Sequence, residues 1–246
     1  MIHPDTELRF VSHAIGYGVY ATAPIPKGTI VYVKDELEIE VTRYKFTKLN
    51  NPFKQEVEKY SYIDERGVRI VSWDHAKYVN HKCDCNSMSS GYGFELAIRD
   101  IAKNEEITDE YGLFNISSPI DLNCGCINCR KTLLPTDIDI YYEIWDSIVI
   151  DAIGCMPNVP QPLWEIMDIE TRIELMNFLS GKSEYRSVFN LKYNPPQKNK
   201  RTKRRSTGCQ RERSASFENF ENWGDPLKGV SSWVVKTGKT GGETSN

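Results

Sequence analysis

Asn104-Glu105-Glu106-Ile107-Thr108-Asp109-Glu110-Tyr111-Gly112 is the stretch on which the reading of this chain turns. It follows the strand-like Ala97-Ile98-Arg99-Asp100-Ile101 and ends in a tyrosine before a glycine. Three other segments belong with it. Upstream lies Tyr78-Val79-Asn80-His81-Lys82-Cys83-Asp84-Cys85-Asn86, and before that Ile15-Gly16-Tyr17-Gly18-Val19-Tyr20-Ala21 followed by Ile25-Pro26-Lys27-Gly28. Downstream lies Cys124-Gly125-Cys126-Ile127-Asn128-Cys129-Arg130. Taken singly, most of these have ordinary explanations. A Gly-x-Gly marks a positive φ or a close approach of another group, an Asn-His pair a satisfied polar turn, and a Tyr-Gly core packing. The cysteines say more: three thiols fall between 124 and 129, and zinc favours four thiolate or imidazole ligands in a tetrahedron, so a fourth must come from elsewhere.

Around these segments the pattern changes along the chain. Residues 8–41 read as short strands and turns: Leu8, Phe10 and Val11 before the glycine pair, a Pro24-to-Gly28 turn, then the strand formers Thr29 to Val33. Residues 42–59, with Asn50-Asn51-Pro52, read as a loop with a short helix. Tyr60 to Ile63 and Gly67 to Trp73 read as a hairpin turning at Asp64 to Gly67, and Phe94 to Arg99 alternates as a further strand. After Cys129 the period becomes helical. Thr136 and Asp139 have capping-box spacing, and Tyr141, Trp145, Ile148 and Ala152 predict a helix over 137–152. A second helix is expected over 163–179, stopping at Gly181. These apolar stripes read as packing surfaces. From Asn194-Pro195-Pro196 onward, Lys, Arg, Ser, Thr and Gly without periodicity predict a disordered tail.

The chain has 246 residues, 39% hydrophobic and 26% charged, enough for a sizeable core without staples. With a mean hydropathy of -0.50 it reads as soluble and globular. No apolar run reaches the roughly 18 to 20 residues of a membrane span, and Met1-Ile2-His3-Pro4-Asp5 has no secretory pattern, so an intracellular protein is expected. Seven cysteines, five of them in two tight groups from 83 to 129, then read as metal ligands or thiols rather than disulfides. Residues 198–213 hold eight Lys and Arg against Glu212 alone. Setting that +7 and the -1 of residues 214–246 apart from the net -3 leaves -9 on residues 1–197. The acidic body suits a cationic partner, and the basic run suits nucleic-acid contact or nuclear import. Gly238-Lys239-Thr240 is no phosphate loop, because Trp233 stands where the first glycine belongs.

In this order and at these distances the four segments resemble the SET-domain protein-lysine methyltransferases with a post-SET zinc motif. The resemblance covers about residues 8–131 and implies a mainly β SET fold, a β-clip with a pseudoknot. It divides the chain into a SET domain at 1–117, a post-SET zinc segment at 118–134, a C-terminal α-helical extension at 135–193 and a disordered basic tail at 194–246. It implies S-adenosyl-L-methionine as methyl donor, bound by Gly16, Tyr17, Gly18, Asn80 and His81, and structural Zn2+ held by Cys83, Cys124, Cys126 and Cys129, with Cys85 as the competing fourth ligand. His81 is then neither base nor metal ligand.

Tyr111 takes the place of the family's catalytic tyrosine, orienting a lysine amine rather than acting as a strong base. A free lysine has a pKa of about 10.4, so presenting the neutral amine at pH 7 costs roughly 4 to 5 kcal/mol, which the site must offset by desolvation and a nearby positive charge. Five positions depart from the family pattern: Asp109 replaces an aromatic, Asn104 a glycine, Lys77-Tyr78 an Arg-Phe and Cys85 a proline. A carboxylate at 109 would raise the pKa of a nearby lysine and could bind water, so the number of methyl groups added does not carry over. The substrate expected is a lysine-containing, histone-like protein segment, in the cytoplasm or, in a eukaryote, the nucleus. The alternatives are a non-catalytic SET module binding peptide or nucleic acid, and a purely structural zinc protein.

Overall fold

The computed structural model describes residues 1–195; the basic run and most of the tail expected from 194 onward lie outside the described residues. Strands β1 (Thr6–Ser12) and β2 (Gly16–Ala21) form an antiparallel hairpin. β10 (Glu106–Asp109) joins β2 antiparallel and takes the two-residue β7 (Asn80–His81) on its other side, parallel. A second sheet runs β3 (Ile30–Val33), β9 (Phe94–Ala97), β8 (Ser87–Ser89), and a third runs β4 (Ile39–Val41), β6 (Arg69–Val71), β5 (Ser61–Ile63). The β5–β6 hairpin turns where expected, with Gly67 at φ 76°. β11 (Ile120–Asp121) and β12 (Thr132–Leu133) clamp the ends of the cysteine segment. Short strands in several small sheets, with helices toward the C-terminus, match the mainly β expectation.

Three local expectations need correction. Residues 42–59 are not mostly loop but two helices, α1 (Arg43–Lys48) and α2 (Asn51–Tyr60). Pro52 begins the second rather than breaking it, because a missing N–H costs nothing in the first turn. The helix α3 (Asp137–Ile153) starts where expected but without a capping box. Thr136 has ψ 0° rather than the extended conformation that aims a cap hydroxyl, and it makes no side-chain cap bond. The span 163–179 is not one helix: a 3-10 turn at Trp164–Ile166 precedes α4 (Ile169–Leu179), which Asp168 caps through a 2.8 Å bond from Thr171 N.

β9 shows how the sheet places chemistry. Phe94 and Leu96 point to one face and, with Met88, Trp145, Val149, Ala152, Leu163 and Leu175, build the larger core between the β3–β9–β8 sheet and the helices. Each large aliphatic or aromatic side chain among them contributes roughly 2 kcal/mol. Glu95 points to the other face yet is only 9% exposed. A second core, with Val19, Ile25, Val31, Ile101 and Ile107, lies under the β2–β10 sheet. Gly28 seals the junction with α3: its φ is 87°, and a Cβ there would lie 2.7 Å from Ala152 O. Among the described residues no helix is long and apolar enough to cross a membrane.

Candidate active site

β10 collects three of the four sequence segments. Its pairing sets Glu106 opposite Tyr20 and Ile107 opposite Val19, while Thr108 and Asp109 face Asn80 and His81. Asn80 Nδ2 donates to Tyr17 O at 3.1 Å and to Glu106 Oε1 at 2.9 Å. Gly18 makes that closure possible: a Cβ there would lie 2.6 Å from Glu106 Oε1 and 3.0 Å from Asn80 Nδ2. Gly16, at φ 89°, turns the chain into β2 with open space on its side-chain side. His81 Nδ1 lies 2.9 Å from Asp109 O, and assigning it the proton makes it the donor. Burial pushes the imidazole down to about 4, so His81 is neutral at pH 7.

Tyr111 follows β10 directly. Its phenol donates to Val79 O at 2.6 Å, and its ring lies 5.4 Å from that of His81 and 5.4 Å from that of Phe114. Burial, with Asp109, Glu95 and Glu106 adding negative charge, raises the phenol above its usual range, so it stays protonated. The structure therefore brings positions 16, 17, 18, 80, 81 and 111 together. Beside Tyr111 opens a channel of about 300 Å³ whose wall includes Tyr32, Tyr60, Tyr62, Glu95 and Asp109. A neighbouring cleft of about 570 Å³ shares Tyr32, Tyr62 and Glu95 and is bounded by Glu170, Thr171 and Glu174 of α4. Asp109 is 1% exposed; Oδ1 accepts from Glu110 N at 2.6 Å, while Oδ2 meets no donor among the described residues.

The sulfurs of Cys83, Cys124, Cys126 and Cys129 all lie within 4.8 Å of one another. Cys85 is 6% exposed, faces the larger core and is not among them. Arg130 N donates to Cys83 Sγ and Lys131 N to Cys129 Sγ, each at 3.4 Å, as thiolates favour. Four close thiols with main-chain donors on two of them suit a tetrahedral zinc ion.

Arg130 ties this loop to the rest of the site. Its Nη2 donates to both Glu110 oxygens, at 2.6 and 2.7 Å, and Nη1 to Asp137 Oδ2 at 3.3 Å. Its guanidinium lies 5.3 Å from the Tyr141 ring centroid and 5.8 Å from that of Trp145. Glu110 in turn accepts from Gly112 N at 2.7 Å, so the two ion pairs of Arg130 join the cysteine loop, the turn that bears Tyr111, and α3.

Sequence reasoning assigned no role to Glu95, Glu106, Glu110 or Arg130. Three of them lie inside quoted segments, where their charge within strand- or turn-forming runs was the available signal. Glu95 had one signal: a carboxylate alternating with Phe94 and Leu96 on a strand whose two faces are both covered.

Comparison with known proteins identifies the same region. The family model described as SET domain matches residues 16–112. "Putative histone-lysine N-methyltransferase ASHH4" of Arabidopsis thaliana is 26% identical over 132 residues, 48% of this chain and 36% of its own length. The variant-silencing SET domain-containing protein of Plasmodium falciparum is 29% identical over 134 residues, 47% of this chain and 5% of its own. The chain thus spans about a third of one relative and a twentieth of the other. Among solved structures, KRYPTONITE in complex with mCHH DNA, H3(1-15) peptide and SAH aligns with 54% of this chain and 30% of its own, at 21% identity and a TM-score of 0.37.

Proposed function

We propose, from the premise that residues 16–112 are a SET domain, that this chain methylates a lysine side chain on a protein, using S-adenosyl-L-methionine. The observation that carries this reading is the meeting of Tyr111 with the Gly16–Gly18 turn, Asn80 and His81 around one sheet, at the end of a channel. Relatives named as histone-lysine methyltransferase or SET-domain proteins support it.

The donor, when bound, supplies a methyl group on a positively charged sulfur. The residues fit an amino-acid-like ligand. Both Asn80 amide hydrogens are engaged by Tyr17 O and Glu106, so Oδ1 is the atom a ligand N–H would meet. His81 offers a neutral ring, and the turn at Gly16 leaves open space. Tyr111, its proton committed to Val79 O, presents oxygen lone pairs to an incoming amine and orients it. Most of the rate gain comes from holding two reactants in line in the pocket beside Tyr111.

In this reading residues 1–117 carry the transfer site and 118–134 form a zinc-held flap, with Cys83 as the fourth ligand. Residues 135–193 support the cleft beside the channel, where α4 would select the partner segment. The peptide in that cleft is histone-like, in keeping with the relatives' names and the acidic body, and the cell compartment follows that of the substrate.

A non-catalytic SET module would have no need of the Tyr111–Val79 arrangement. Isothermal calorimetry with S-adenosyl-L-methionine separates the two readings: saturable binding that Asn80→Ala weakens at least tenfold supports transfer, and no binding by the folded, zinc-loaded chain refutes it.

A further inference from the structure

The pocket beside Tyr111 carries two buried carboxyls in its lining. Glu95 enters from β9 and Asp109 from β10, and both carboxyls line this one pocket, close enough that each alters the other's hold on a proton. A buried pair of carboxyls in one pocket holds a single negative charge at far lower cost than two. Both are nearly sealed, at 9% and 1% exposure, and both line the channel. Asp109 Oδ2 meets no donor among the described residues. A buried acceptor left so is costly unless a proton shared with Glu95 or the donor of a guest meets it.

The surroundings offer little positive charge. From the β3 side Tyr32 faces the pair, its hydroxyl donating to Glu38 at 2.8 Å. Glu38 adds a third carboxyl and lies 3.6 Å from the Met1 amine. Tyr62 of β5 faces Glu95, and behind Asp109 stand Cys85 and Glu110, the latter committed to Arg130. His81 touches Asp109 only through its carbonyl. Of the rim cations, Lys59 lies over the Tyr60 ring and Lys77 over that of Tyr78, while Arg69 lies over Phe46. Burial raises both carboxyls; the charge of Glu95 pushes Asp109 further up, whereas the contact with Asp109 pulls Glu95 back, to about 7.

We infer that Glu95 and Asp109 share one proton and one negative charge, that this charge is the seat of the ε-ammonium of the substrate lysine, and that the pair accepts the proton the ammonium must lose. The inference rests on the methyltransferase reading above and deepens it. An N–H bond of the ammonium breaks and its proton moves to Asp109 Oδ2; the bonding pair stays on nitrogen as the nucleophilic lone pair. The carboxyl pair passes from one proton to two, so amine and pair together stay neutral throughout. Once the methylated product has left, the extra proton returns to solvent through the cleft that Glu95 also lines. The pair thus does by proximity what bulk base at pH 7 does poorly, and Tyr111 is left to orient.

The test uses the full zinc-loaded chain, radiolabelled S-adenosyl-L-methionine and mixed core histones, with a cell lysate as second acceptor, across pH 6 to 9. Asp109→Asn should lower kcat/KM at pH 7 on the order of 10²-fold, with the loss shrinking about tenfold per pH unit as free amine accumulates. Glu95→Gln removes the like charge, so its acid limb should move at least one pH unit lower than wild type. Infrared spectroscopy of the wild type, without substrate, should show a protonated carboxyl band at pH 7 whose position or intensity either substitution changes. Wild-type pH profiles in both variants, or no such band, overturn the inference and leave the methyltransferase reading standing. No labelling by the wild type of either acceptor overturns the reading itself and the inference with it.

Discussion

The phenol of Tyr111 and the main-chain carbonyl of Val79 are joined by a 2.6 Å hydrogen bond across 32 residues of sequence. Val79 immediately precedes Asn80, and Tyr111 follows β10, the strand that pairs with Asn80 and His81. The bond therefore fixes the tyrosine's orientation with the same segment that closes on the Gly16–Gly18 turn. It also spends the hydroxyl proton, so toward the channel the oxygen acts as an acceptor.

Tyr111→Phe keeps the ring contacts with His81 and Phe114 and loses only the oxygen. Methyl transfer should fall on the order of 10² to 10³-fold, the range for a positioned polar group at a reacting centre. Cofactor affinity measured by calorimetry should change less than threefold, and the melting temperature should drop by only a few degrees, since one hydrogen bond contributes about 1 kcal/mol.

The cysteine cluster predicts a metal content. Inductively coupled plasma analysis should find one zinc per chain, lost in Cys126→Ser and Cys83→Ser and retained in Cys85→Ser. Stripping the metal with a chelator should lower the melting temperature and expose the segment from 118 to 134 to protease, because without it that segment is held mainly by the two-residue pairing of β11 with β12 and the Arg130 ion pairs.

Arg130→Ala should destabilise the chain by about 3–5 kcal/mol, because it strands the Glu110 carboxylate, whose side chain is 3% exposed, without its charge partner. Arg130→Lys keeps the charge but not the contact to both oxygens, and should lose about half as much. Denaturant titration separates the two. Transfer activity should fall with Arg130→Ala even at temperatures where the chain is folded, since Glu110 shapes the turn that carries Tyr111.

The raised carboxyls predict a pH signature for the unliganded chain. Asp109 and Glu95 have ordinary values of 3.8 and 4.5 and are both shifted upward by burial. A carboxyl raised by folding gives its full contribution below its unfolded pKa and loses it as pH climbs through the folded value. The wild type should therefore lose stability from about pH 4 toward pH 8. Asp109→Asn should be more stable than wild type at pH 8, by about 1–3 kcal/mol, and no more stable at pH 4. Melting curves at the two pH values check this.

The four sequence segments were legible because each keeps its function-bearing residues within nine positions, where spacing is visible. The β5–β6 hairpin and α3 were legible for the same local reason: a glycine turn and a 3.6-residue period. Residues 42–59 were misread because Asn50-Asn51-Pro52 carries the same residues whether a turn continues or a helix begins. Thr136 and Asp139 had the spacing of a capping box, but the backbone at Thr136 is set by the chain leaving β12, which spacing does not encode. Glu95 was invisible as a site residue because its partner Asp109 comes from another strand 14 positions away, and only sheet packing brings the two faces onto one channel. Arg130 was quoted among the cysteines without a role because Glu110 and Asp137 lie on either side of it in sequence and meet it only in three dimensions.

The most direct measurement is transfer of a labelled methyl group from S-adenosyl-L-methionine to core histones by the full zinc-loaded chain, with the labelled residue identified by mass spectrometry. The account predicts label on lysine side chains, abolished by Asn80→Ala and reduced at least a hundredfold by Tyr111→Phe. Undiminished labelling by Tyr111→Phe, or label on residues other than lysine, would contradict it.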